Sequence, residues 1–158
     1  MMETKKQLSP LHCIFFIYQS FAHTAAGGEV TKEEQQVINN CMYRWTGSDE
    51  QKTQMIIRES VDWAKENIKT IQDQVETMMS MINFLKQQSD FNILKREFFL
   101  MDIRNIARAD NQFSESEKKW HDMLAKALGL EIRISPESHE AIKKSIDRVK
   151  KRKIGFRR

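Results

Sequence analysis

Apolar residues along this chain follow a helical period almost throughout. They run nearly unbroken from Leu11 to Tyr18 and recur at Ile57, Val61, Ala64 and Ile68, the three- and four-residue steps that lay one stripe along an α-helix. Ser9-Pro10 and Ser135-Pro136 each set a capping side chain before a proline at the first helical position, where the missing N–H costs nothing. Thr31-Lys32-Glu33-Glu34, Ser48-Asp49-Glu50-Gln51 and Ser114-Glu115-Ser116-Glu117 fit the capping box, in which a hydroxyl and a third-position side chain satisfy each other's backbone N–H. Gly27, Gly28, Gly47 and Gly129 follow apolar runs and read as helix stops. The predicted helices are 9–25, 31–45, 49–88 with a break, 91–109, 114–128 and 135–151, about seven in all. Only Leu130, Ile132 and Ile134 alternate, which reads as an extended linker pinned to the core rather than a strand.

The long third segment is a heptad seam. Ile57, Val61, Ala64, Ile68, Ile71, Val75, Met78, Ile82 and Leu85 step by four and three without a miss. Unbroken, 49–88 would reach about 60 Å, whereas a domain of this length has a radius of gyration of about 15 Å. Either the helix breaks near Asn67 to Thr70, the preferred reading, or it protrudes and pairs with a second copy as a coiled-coil homodimer.

Length and composition bound the rest. At 158 residues with 40% apolar and 30% charged residues, the chain is one core-forming domain, neither collagenous nor low-complexity. The net charge of +4 is uneven: Lys143 to Arg158 holds nine Lys or Arg against Asp147 alone, leaving about −4 for the remainder. Residues 9–149 therefore read as the folded domain and 150–158 as a basic tail. Cys13 and Cys41 lack metal or redox spacing and read as buried free thiols of a reducing compartment. Lys5, Lys6 and the apolar run after them imitate a signal peptide, but Pro10, His12 and Gln19 interrupt it. The segment is read instead as an amphipathic first helix of a cytoplasmic protein.

An internal repeat is visible. Ala25 to Glu34 lies against Arg108 to Glu117, and Phe15-Phe16-Ile17 against Phe98-Phe99-Leu100, in one common register. Each copy is an apolar helix, a tight polar turn, one apolar residue, a hydroxyl cap and a glutamate three residues on, as duplication of a helix-turn-helix unit would leave. The second copy, through Ile103, Ile106, Ala107, Ala109, Asp110, Phe113, Ser114 and Glu117, resembles the tellurite-resistance TerB family, whose pattern is an apolar helix, Ala-Asp-Gly, a gap, Ser or Thr, and Glu. With the weaker first copy the resemblance spans residues 9–130. It implies an all-α, pseudo-duplicated helical bundle, tied to tellurite or other chemical stress, that binds divalent metal through its acidic residues. Asn111 stands where the family has glycine, and Gly27 or Gly28 where the first copy would have aspartate. The domain preceding the J domain of membrane-bound co-chaperones is also similar, although this chain has no His-Pro-Asp.

On that resemblance, Asp110, Glu117 and Glu34 are the candidate ligands of a divalent cation, with Glu29, Glu33 and Glu115 as further acids beside the turns. Hard cations take several oxygens; against this reading, Glu34 and Glu117 already have a use as capping partners. His12, His23, His121 and His139 show no H-E-x-x-H spacing, and no nucleophile elbow or P-loop is present, so no enzyme is expected. Glu115, Glu117 and His121 share a helical face, where ordinary charge pairing is the default. Trp45, Trp63 and Trp120 read as core or interface anchors, and Met78, Met79 and Met81 as core filler, with an adaptable partner surface as the alternative. Ile142, Ile146 and Val149 continue a helical stripe that should dock on the body, leaving Lys150, Lys151, Arg152, Lys153, Arg157 and Arg158 to project. Those six are the candidate anion-binding residues, for nucleic acid or for an anionic membrane. The expected function is a non-enzymatic, stress-linked interaction module with a protein partner; the alternative is a tail-mediated binder of nucleic acid or membrane.

Overall fold

The computed structural model describes residues 8–25, 29–109 and 114–130. They form six helices: α1 (Pro10–Ala25), α2 (Lys32–Trp45), α3 (Glu50–Asn67), α4 (Ile71–Lys86), α5 (Ile93–Ala107) and α6 (Glu115–Ala127). No strand occurs among the described residues. The expected count of about seven included a helix at 135–151, which lies outside the described residues, as do Ser135-Pro136, Ile132 and Ile134. The fold is all-α as the periodicity predicts.

The long seam breaks where its length required. Asn67 ends α3, Ile68 turns extended, and Thr70 caps α4 with a box completed by Asp73. The uninterrupted rod is therefore not formed. Beyond the break the seam is core, with Met78, Ile82 and Leu85 fully buried, whereas Val61 and Ile71 beside it stay exposed. Ser48 does not cap α3 as its motif suggested. Gly47 and Ser48 both take positive φ (79° and 65°) to end α2, so the cap, which needs extended backbone, passes to Asp49, whose carboxylate accepts from Lys52 N–H. Likewise α5 begins two residues later than expected. Asn92 is its cap, and Phe91 is buried in the preceding turn.

The first helix is not amphipathic. Every residue from His12 to Tyr18 is buried, and α1 packs against all five other helices. A helix apolar all round belongs at the centre of a bundle, which is why its sequence imitates a signal peptide. Among the described residues no helix is long and apolar enough to cross a membrane. Around α1 the aromatic rings interlock, Tyr18 with Phe99 at 5.0 Å and Phe16 edge-on to Trp63 at 5.9 Å. A fully buried apolar side chain of this core contributes about 2 kcal/mol. Trp45, Trp63 and Trp120 pack at the margin of this core, and Cys13 and Cys41 are buried free thiols.

The repeat survives in three dimensions. α2 buries Glu34, Ile38, Cys41 and Met42, and α6 buries Glu117, His121, Leu124 and Ala125, the same four positions in the register read from the sequence. α2 packs on α1, α6 packs on α5, and the two hairpins meet through α2 and α5.

Candidate functional site

The two turns of the repeat present equivalent capped helix starts. Thr31 N–H donates to Glu34 Oε1 at 2.9 Å while Glu34 N–H donates to Thr31 Oγ1 at 3.0 Å. Ser114 N–H donates to Glu117 Oε1 at 2.8 Å while Glu117 N–H donates to Ser114 Oγ at 3.1 Å. Both carboxylates are buried, 1% and 5% exposed, and each accepts the backbone N–H of its own cap residue. Of the three cation candidates, these two are thus held each at its own cap. Asp110 lies outside the described residues, as do Lys150, Lys151, Arg152, Lys153, Arg157 and Arg158. Glu29, Glu33 and Glu115 are exposed, with Glu115 paired to Lys118. Among the described residues no group of three His, Cys, Asp or Glu side chains is placed to hold a metal.

Besides these two and the Thr70–Asp73 box of α4, the start of α1 is capped on the same design with different chemistry. Ser9 N–H donates to His12 Nδ1 at 3.0 Å. A backbone N–H can only donate, so Nδ1 is the unprotonated nitrogen and Nε2–H donates to Glu59 Oε1 at 2.9 Å. An imidazole here takes the part that glutamate plays in the other two, and it ties the start of α1 to α3.

A polar cluster built on a buried carboxylate joins α1, α2 and α5. Asp102 is 0% exposed; its Oδ2 accepts from Tyr18 Oη at 2.7 Å and from Trp45 Nε1 at 3.0 Å, and its Oδ1 accepts from Arg44 Nη2. Trp45 Nε1 also donates to Tyr18 Oη at 3.0 Å. Burial draws the Arg44 guanidinium down, but the Asp102 carboxylate outweighs it and holds Arg44 above its usual range. Burial, then Asp102, raises the Tyr18 phenol and the nearby Cys41 thiol. Burial likewise raises the Cys13 thiol to about 11. At neutral pH the thiols and the phenol therefore keep their protons, the unreactive form for a nucleophile.

On the other side of α5, Arg104 Nε donates to His121 Nε2 at 3.0 Å, so that nitrogen carries no proton. Burial first, and the Arg104 charge second, depress His121 to about 3. Burial also lowers Arg104, against the pull of Glu97. Neither this pair nor the Asp102 cluster was foreseen. The available signal was an acid inside Phe98-Phe99-Leu100-Met101-Asp102-Ile103 and a histidine on the buried register of α6.

No curated protein and no solved structure matches the chain. The family model described as Tellurite resistance protein TerB matches residues 20–156, most of the chain and the turns of both repeats, and the chain belongs to the TerB family.

Proposed function

We propose that the chain is a non-enzymatic, stress-linked interaction module of the tellurite-resistance type, responsive to a divalent cation at its second turn and acting on a protein partner. Family membership is the observation that carries this reading. The chemistry of the interior supports it: Asp102 is engaged by its hydrogen-bond donors, and the thiols are held protonated. The proposed setting is cytoplasmic, the compartment suited to two free thiols. Deleting the gene in the organism that carries it should raise sensitivity to tellurite, and unchanged sensitivity would overturn the tellurite-type reading. The cation reading rests on the acidic second turn, where Asp110 accompanies the capping Glu117, with Glu34 as its counterpart in the first copy. Calorimetric titration of calcium, magnesium, manganese and zinc into chelator-stripped protein should show saturable binding that Asp110→Ala removes; silence with all four ions ends it.

One observation favours a second reading, the run of nine bases against one acid from Lys143 to Arg158. Such density favours phosphate contacts with a steep salt dependence, on nucleic acid or on an anionic membrane. Replacing Lys150, Lys151, Arg152, Lys153, Arg157 and Arg158 by glutamine should abolish salt-sensitive retention on heparin and on phosphatidylserine vesicles. Retention by that variant would refute it.

A further inference from the structure

The repeat sets two interior positions against each other. In the register that aligns Glu34 with Glu117, Phe21 of α1 corresponds to Arg104 of α5, and Ile38 of α2 to His121 of α6. Phe21 and Ile38 are both fully buried. The first copy thus fills these positions with apolar side chains, and the second puts a half-buried guanidinium and a fully buried imidazole in their place. Packing does not call for that exchange, because drawing a guanidinium out of water is costly unless an anion or a full set of acceptors meets it.

Two other arginines show how this fold meets such a group. Arg44 donates to the buried carboxylate of Asp102. Arg96 places all three of its nitrogens on carbonyls, Nε on Phe91 O at 3.0 Å, Nη1 on Leu128 O at 3.0 Å and Nη2 on Lys86 O at 3.2 Å. Arg104 has neither answer. Its Nε donates to the uncharged Nε2 of His121 at 3.0 Å, and it forms no ion pair among the described residues. Burial lowers it from its usual range; Glu97, the acid that pulls the other way, is exposed two turns before it and does not outweigh that burial. What this cation lacks is a negative charge beside it.

The remaining edge of the guanidinium suits one. His121 holds the group by Nε, while Nη1 and Nη2 have no acceptor among the described residues and are not buried. The end-on fork of Arg104 therefore reaches solvent beside the contact of α5 with α6. Two parallel N–H donors on that edge match two oxygens of one oxyanion. His121 is fitted to the holding role. Burial and the Arg104 charge depress it to about 3, so at neutral pH it keeps its acceptor without bringing a second positive charge into the interior.

We propose that Arg104, held by His121, forms an oxyanion site in the second repeat, with Nη1 and Nη2 donating to two oxygens of one compact oxyanion. The site stands apart from the tellurite-type reading, which gene deletion tests on its own. Titration of the full chain with sodium phosphate, sulfate and tellurite, at an ionic strength held constant with sodium chloride, tests it. The Nε–H resonance of Arg104, identified by its loss in Arg104→Gln, should shift saturably with at least one of the three. The melting temperature should rise with the logarithm of that anion's concentration, and Arg104→Gln should weaken the affinity read from melting about tenfold or more. A response to all three no greater than to chloride overturns the proposal. So does an undiminished rise in Arg104→Gln, which would place the anion on the basic run from Lys143 to Arg158. Should Arg104→Gln fail to fold, Arg104→Phe combined with His121→Ile, the pair that the first copy buries, replaces it with the same outcomes.

Discussion

Removing the carboxylate of Asp102 tests whether the buried cluster stabilises the junction of α1, α2 and α5. In Asp102→Ala the Tyr18 hydroxyl, fully buried, loses its acceptor, and an orphaned buried donor costs about 1–3 kcal/mol. Trp45 Nε1 keeps Tyr18 Oη at 3.0 Å, so it adds little. The Arg44 side chain is 47% exposed and returns to water at a cost of about 0–1 kcal/mol. A small void where the carboxylate stood brings the total to about 3 kcal/mol. Urea unfolding followed by tryptophan fluorescence should show this loss, and the melting temperature should fall by roughly 10 °C. A double-mutant cycle isolates the mechanism. With Tyr18→Phe already in place, Asp102→Ala leaves without an acceptor only the Nε1 of the half-buried Trp45 ring rather than the fully buried Tyr18 hydroxyl, so it should cost about 1 kcal/mol less than it does alone. Strict additivity, or a loss below about 1 kcal/mol in the single variant, would refute the claim that orphaning the Tyr18 hydroxyl accounts for most of the destabilisation.

Three further outcomes follow from the same geometry. Glu34→Ala and Glu117→Ala should each cost about 1 kcal/mol in chemical denaturation and add in the double variant, with the glutamine variants milder because the side-chain carbonyl still accepts; a strongly non-additive pair would show that the two turns share a ligand or a contact. Cys13 and Cys41, with thiols raised by burial, should resist a disulfide reagent at pH 8 in the native state and react at the unfolding rate, so rapid native labelling would contradict the structure. His121 sits at about 3 when folded against about 6.5 unfolded. The unfolded chain therefore binds the proton first, and this contribution is full above about pH 6.5 and falls by up to about 1.4 kcal/mol per unit as pH drops toward 3. Urea titrations from pH 7 to 4.5 should show that slope in the parent and its loss in His121→Gln.

What could be read from the sequence depended on how local its cause is. The Thr31 and Ser114 boxes, the stop at Gly129 and the break after Asn67 are each set within a few residues, by caps, by a residue tolerant of positive φ, or by the length a bundle can hold. Ser48 failed because two local rules competed for it. Its hydroxyl suited a cap, but the turn ending α2 needed a second left-handed residue after Gly47. The role of α1 was not local at all. Nothing within Leu11 to Tyr18 distinguishes a helix with one apolar face from one buried on every side, and only the five helices packed around it settle the matter. The same limit hid the Asp102 cluster, whose members lie 58 and 84 residues away from Asp102 in sequence. Such a cluster adds what apolar stripes lack. Phe99, Ile103 and Ile106 could slide a turn along their neighbours with little loss of buried area, whereas Tyr18, Arg44 and Trp45 reach one carboxylate at one register only. The duplicated stripes fix which faces meet, and the unduplicated polar contacts fix where along those faces the two halves lock.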